Sequence, residues 1–186
     1  LQETDVRRAL VEGLRALYLM IFVDGFIHCD LHPGNVLLAP DGQLVILDAG
    51  FMVELASETR YSFAKFFAAI AFRDGKAAAA IVRHTAIRLP HELDVAAFDA
   101  EIAELIKRVG GLVAGKFQVA ALVDDLFAVM RKHRIYGTSQ FTLIILSLLV
   151  YEGVARQRYP DLDFQKEAIP FVLSALGEPA RKLRGS

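Results

Sequence analysis

The stretch FIHCDLHPGNVLLAPDGQLVILDAG, residues 26–50, decides the reading of this chain. Its polar side chains His28, Asp30, His32, Asn35 and Asp48 stand in otherwise largely apolar sequence. The frame is H-x-D-x-x-x-x-N, two short apolar runs, then D-x-G. The runs at 36–39 and 44–47 flank Pro40-Asp41-Gly42, turn chemistry that predicts a β-hairpin. Antiparallel pairing brings the open ends of a hairpin together, so Asn35 and Asp48 are expected near one point. No other part of the chain sets so many polar groups among apolar neighbours.

Upstream, residues 5–23 carry Val6, Leu10, Leu14, Leu17, Tyr18, Ile21 and Phe22 at steps of three and four. That spacing predicts one face of an amphipathic helix, with Gly25 as its C-terminal cap. The helix delivers the chain directly into His28. From Ser57 onward the whole chain reads as helical. Ser57 is the expected N-cap of a helix over 58–73, whose apolar face holds Tyr61, Phe63, Phe66, Phe67, Ile70 and Phe72. Further helices are expected over 76–87, 95–109, 119–132, 139–157 and 164–176, punctuated by Gly75, Leu89-Pro90, Gly110-Gly111, Pro160 and Gly177. The fold class is mainly α with a short β-hairpin (α+β). One unit over 1–177 is followed by a short basic tail, 178–186, with no repeat or linker.

Composition narrows the function classes. A length of 186 residues suits one domain, or a large piece of a bigger protein. A formal net charge of -1 and the lack of a long Lys/Arg run leave no electrostatic case for nucleic acid. Cys29 is the only cysteine, which excludes an internal disulfide and a cysteine-based zinc cluster, and a cytoplasmic setting is the default. The opening Leu1-Gln2-Glu3-Thr4-Asp5 is neither a signal peptide nor a methionine start, so a fragment of a longer protein is expected. Apolar residues make up 54%. The longest apolar run, 143–151 with Ser147 inside it, falls short of the ~20 residues that a membrane span needs. The excess is assigned to a helical core, plus a face for a missing lobe or for peripheral membrane contact.

The central stretch carries the groups that phosphoryl transfer needs, because that chemistry rests on positioning and charge neutralisation. Asp30 suits a catalytic carboxylate. Asn35 and Asp48 are hard oxygen donors for magnesium. His28 belongs with Asp30 in the catalytic loop, as an imidazole whose hydrogen bonds hold that loop near Asp48. Gly34 and Gly50 permit backbone shapes that a Cβ would obstruct. A zinc or iron site on His28, Asp30 and His32 is the competing reading. Their i, i+2, i+4 spacing in a Pro-Gly loop is not the helical pair of a metalloprotease.

The frame resembles the catalytic loop and metal motif of protein-kinase-like folds. More closely, HCDLHPGN followed by LDAGFMVEL and a helix opening SETR resembles the UbiB/AarF/ADCK family of atypical kinases. Thr59-Arg60, Phe72-Arg73-Asp74, the YEGVA at 151–155 and the YPDLD at 159–163 extend the likeness over nearly the whole chain. The resemblance implies a protein-kinase-like fold of which this is the C-terminal lobe only. It implies ATP and magnesium as cofactors, Asp30 as catalytic carboxylate, and Asn35 and Asp48 as metal ligands. It also implies a role in isoprenoid-quinone (ubiquinone-type) biosynthesis or lipid homeostasis, with a lipid or quinone-precursor small molecule as partner and a cytoplasmic, membrane-associated location. The aminoglycoside/choline phosphotransferases share the loop pattern, but the sequence after Gly50 favours the first family.

Three departures accompany the likeness. The nucleotide-binding N-lobe, with its phosphate loop, strand lysine and K-x-G-Q segment, is absent, so this piece alone is expected to be inactive. Ala49 stands where a Phe is usual in D-x-G, which keeps open a pseudokinase-like scaffold. Cys29 replaces the Arg of regulated protein kinases and no A-P-E-like element follows, so generic protein substrates are not expected to be phosphorylated.

Overall fold

The computed structural model describes residues 3–31, 35–39, 43–48, 50–110 and 117–177. Helix α1 (Glu3–Leu19) runs into a single π-turn (Met20–Asp24) that stops at Gly25. Gly25 takes φ 81° and returns its N–H to the Met20 carbonyl at 2.9 Å. Only glycine adopts that left-handed angle without penalty, so the chain turns sharply there into β1 (Phe26–His28).

The hairpin forms where the turn chemistry places it. Strand β2 (Val36–Leu38) pairs antiparallel with β3 (Leu44–Ile46), with Val36 opposite Ile46 and Leu38 opposite Leu44. Residues 40–42, the expected turn, lie outside the described residues. A second pairing joins β1 to β4 (Met52–Glu54), with His28 opposite Met52. The sequence reading did not contain this pairing. Three-residue strands are too short to show an alternation, and the partner lies across the hairpin.

Six helices follow: α2 (Ser57–Ala71), α3 (Gly75–His84), α4 (Val95–Val109), α5 (Val119–Lys132), α6 (Ser139–Arg158) and α7 (Phe164–Gly177). The expected bounds of α4 and α5 are met to the residue. The stretch beyond Ser57 is not wholly helical, however. Strand β5 (Ala86–Arg88) pairs with β6 (Tyr136–Gly137), so the third helix ends at His84 and not at 87. Ser57 is the first helical residue and Ala56 the N-cap, without a side-chain cap bond. Tyr61 and Phe72, placed on the buried face by periodicity, are 45% and 82% exposed.

The core gathers around aromatic rings. Phe22 stacks on Phe63 at 5.9 Å, and Phe141 of α6 meets Phe63 and Phe66 edge-on at 5.2 and 5.7 Å. Each such buried ring contributes about 1.5–3 kcal/mol. The Tyr18 hydroxyl, fully buried, donates to the Phe164 carbonyl at 2.8 Å and so binds α1 to α7. Helix α6 has the length and composition of a membrane span, unlike the shorter apolar run read from the sequence. It also packs Phe141, Ile144, Ile145, Leu148, Tyr151 and Ala155 into the core, so much of its apolar surface is spent within the fold.

Glu152 of α6 is 2% exposed and organises the neighbouring helix. Its carboxylate accepts from the Val119 and Ala120 N–H groups, each at 2.9 Å, and from Arg156 Nε at 2.8 Å. The first turn of a helix leaves free N–H donors, and a carboxylate there satisfies both the hydrogen bonds and the dipole. Arg156 also donates to the carbonyls of Phe117 and Pro160. The YEGVA segment thus fixes the entry into α5.

Candidate active site

His28 is the hub. It is 2% exposed at the end of β1, with both ring nitrogens engaged. The Asp30 backbone N–H donates to Nδ1 at 3.1 Å. A nitrogen that accepts carries no proton, so the ring proton sits on Nε2. Nε2 therefore donates to the Asp48 carbonyl, 2.5 Å away. One imidazole joins the loop bearing Asp30 to the strand end bearing Asp48.

Asn35 joins from the other side. Its Nδ2 donates to the Asp30 carbonyl at 3.0 Å. The Leu47 N–H donates to the Asn35 carbonyl at 2.9 Å, which closes the hairpin beside Asp48. The structure thus brings together four of the five polar residues singled out in the sequence: His28, Asp30, Asn35 and Asp48. His32, Gly34 and Ala49 lie outside the described residues.

The donor atoms suit a hard cation. With Nδ2 of Asn35 used inside the protein, Oδ1 is the oxygen its side chain has to offer. Asp48 is exposed, and its Oδ1 accepts from the Gly50 N–H at 2.7 Å. That bond orients the carboxylate, and Oδ2 makes no hydrogen bond with any described residue. A Cβ added at Gly50 would stand 3.0 Å from Oδ1, so glycine keeps this close approach open. Two protein oxygens match how magnesium is held with phosphates and water as its other ligands.

Residues that the sequence reading did not assign support this frame. The Cys29 N–H donates to the Phe51 carbonyl at 3.0 Å and extends the β1–β4 pairing toward Asp30. Gln140, at the start of α6, accepts from the Ala56 N–H and the Thr59 hydroxyl and donates to the Glu54 carbonyl at 3.1 Å. It clamps the end of β4 to α2. Arg60 lies against Gly25 and donates to the Val23 carbonyl at 2.6 Å, capping the π-turn that leads into β1. The Thr59-Arg60 pair was visible as part of the family likeness. Gln140 gave no signal, because it sits 86 residues from the carbonyl it holds.

Comparison with known proteins identifies the family. A model of the ABC1 atypical kinase-like domain matches residues 2–82, which contain the whole site. A model of the UbiB helical domain matches residues 102–163, the α4–α6 region. The chain belongs to the UbiB/ADCK family. Similar relatives carry the name probable protein kinase UbiB. The one from Shewanella halifaxensis is 29% identical over 95% of this chain and 33% of its own length. Those from Glaesserella parasuis and Pectobacterium carotovorum are each 28% identical, over 94% and 91% of this chain. The chain spans about a third of the length of these relatives. No solved structure matches it. Along this UbiB-family chain, the match to the kinase-like model ends within α3 and the match to the helical model begins within α4.

Proposed function

We propose that this chain is the C-terminal lobe of an atypical, magnesium- and ATP-dependent kinase or ATPase. In this reading Asp30 receives or orients the proton of the nucleophile. Asn35 and Asp48 hold magnesium, which when bound would neutralise charge on the nucleotide phosphates. His28 is a positioning residue that keeps the three polar groups in register. The observation that carries the reading is the shared imidazole, 3.1 Å from the Asp30 N–H and 2.5 Å from the Asp48 carbonyl.

A nucleotide-binding lobe would complete the site. The outer face of the hairpin, with Leu37 at 52% and Leu47 at 60% exposure, offers apolar surface beside Asp48 for such a lobe. The substrate class is a lipid or quinone-precursor small molecule of isoprenoid-quinone biosynthesis, consistent with relatives named UbiB.

The test is ATP binding by thermal shift, with and without magnesium, together with ATP turnover, in the natural polypeptide that carries this chain. A magnesium-dependent rise in melting temperature is expected, because a ligand that binds only the folded state stabilises it. Asp48→Ala should remove that rise, and Asp30→Ala should abolish turnover while keeping nucleotide binding. Binding without turnover would move the assignment to a non-catalytic scaffold. The absence of any magnesium-dependent binding would refute the site. The 186 residues alone should turn over little or no ATP.

A further inference from the structure

The α3–α4 connection, the end of α5 and β6 enclose a cleft of about 780 Å³ that shares no residue with the candidate active site. That volume falls within the range of small-ligand sites. Arg88, Lys132 and Arg134 supply its fixed positive charges, and Glu92 and Asp94 its carboxylates. Two of these five are already committed. The Asp94 carboxylate caps α4 by accepting from the Ala97 N–H at 2.9 Å. Lys132 lies 2.8 Å from Glu101, which also meets His133 at 3.1 Å. Arg88, Arg134 and Glu92 remain, and neither arginine makes a side-chain hydrogen bond or ion pair with any described residue.

Arg134 is placed at a backbone cost. It sits at φ 54°, two residues past the end of α5 and one past its C-cap, His133. Its N–H returns to the Arg131 carbonyl, and the next N–H, that of Ile135, returns to the Met130 carbonyl. This is a Schellman cap, whose left-handed position glycine fills more readily than any residue with a Cβ. The β5–β6 pairing sets Arg88 opposite Tyr136, whose ring is 64% exposed at the same cleft.

We propose that this cleft binds a phosphate-bearing ligand, with the phosphate held by Arg88 and Arg134. Guanidinium groups present planar forks of N–H donors that fit phosphate oxygens in pairs. Two of them offer more donors than the two oxygens of a single carboxylate accept, whereas a phosphomonoester presents three anionic oxygens. The Tyr136 ring and the adjacent Ile87, 70% exposed, provide apolar surface for the remainder of such a molecule. Glu92 on the wall disfavours ligands whose negative charge extends beyond one phosphate group.

The phosphate could be free or part of a lipid headgroup, and two arms separate these sources. One titrates the 186-residue chain with glycerol 3-phosphate, followed by NMR. The other measures co-sedimentation with phosphatidylcholine vesicles containing phosphatidic acid, against phosphatidylcholine alone. Saturable binding is expected in at least one arm, weakened about tenfold by Arg88→Gln and by Arg134→Gly, and unchanged by Asp48→Asn. Arg134→Gly removes the guanidinium while suiting the left-handed backbone, so the fold is retained. No saturable binding in either arm would overturn the proposal, as would binding indifferent to both arginine variants. Binding lost with Asp48→Asn would overturn it too, because the phosphate would then belong to the other site.

Discussion

Substitutions at His28 dissect the link between the Asp30 loop and Asp48. The imidazole makes one bond as acceptor, to the Asp30 N–H at 3.1 Å, and one as donor, to the Asp48 carbonyl at 2.5 Å. His28→Asn keeps an acceptor near the position of Nδ1 but cannot reach Asp48. His28→Gln carries a donor to the position of Nε2 but loses the acceptor for Asp30. Each bond has a net worth of about 1 kcal/mol, so each variant should lose about that much stability. His28→Ala loses both bonds and leaves a cavity where a side chain only 2% exposed had packed, so its cost should be about 2–4 kcal/mol. Urea denaturation of the chain measures all three. In the natural polypeptide, His28→Asn should weaken magnesium-dependent nucleotide binding more than His28→Gln, because only the former releases the strand end that carries Asp48. A His28→Ala cost below about 1 kcal/mol would refute the hub role. So would equal effects of the Asn and Gln variants on magnesium dependence.

Other perturbations reach the scaffold. Glu152→Ala should destabilise the fold by about 3–5 kcal/mol in thermal or urea melts, because it strips two N–H groups of α5 of their acceptor and leaves Arg156 without its carboxylate. Gly75→Ala would set a Cβ 2.4 Å from the Cα of Ala103. Helices α3 and α4 would have to separate, and a loss of about 1–3 kcal/mol is expected in the same assay. Burial pushes the Cys29 thiol up from its ordinary pKa, an effect only partly opposed by a hydrogen bond with Ser147. Alkylation by iodoacetamide should therefore lag behind that of the unfolded chain at pH 8 and catch up only as the pH rises through the raised value, with mass spectrometry as the readout.

Much of this molecule is written in short-range pattern. The 3.6-residue recurrence of Phe98, Ile102, Leu105, Ile106 and Val109 marks α4 to the residue, and all five side chains are buried. Pro40-Asp41-Gly42 between two apolar runs was enough for the hairpin. Because a hairpin joins its own ends, it was also enough to place Asn35 beside Asp48. The spacing of Asp30, Asn35 and Asp48 likewise marked these residues as one group, and hydrogen bonds through His28 and Asn35 link the segments that carry them.

What lay beyond the sequence depends on partners far apart in the chain. Strands β1 and β4 have three residues each, too few for an alternating pattern, and exist because each satisfies the other's backbone groups. The β5–β6 pairing joins the α3–α4 connection to the α5–α6 connection, and it turned an expected helix end into strand. Tyr61 and Phe72 keep helical spacing with the buried rings of α2, yet both are left exposed. Gln140 reads as an ordinary polar residue at a helix start until the fold places the Glu54 carbonyl beside it. Periodicity reports which face of an element is apolar. Which faces are covered, and which distant groups meet, follows only when the chain must satisfy every buried donor and acceptor at once.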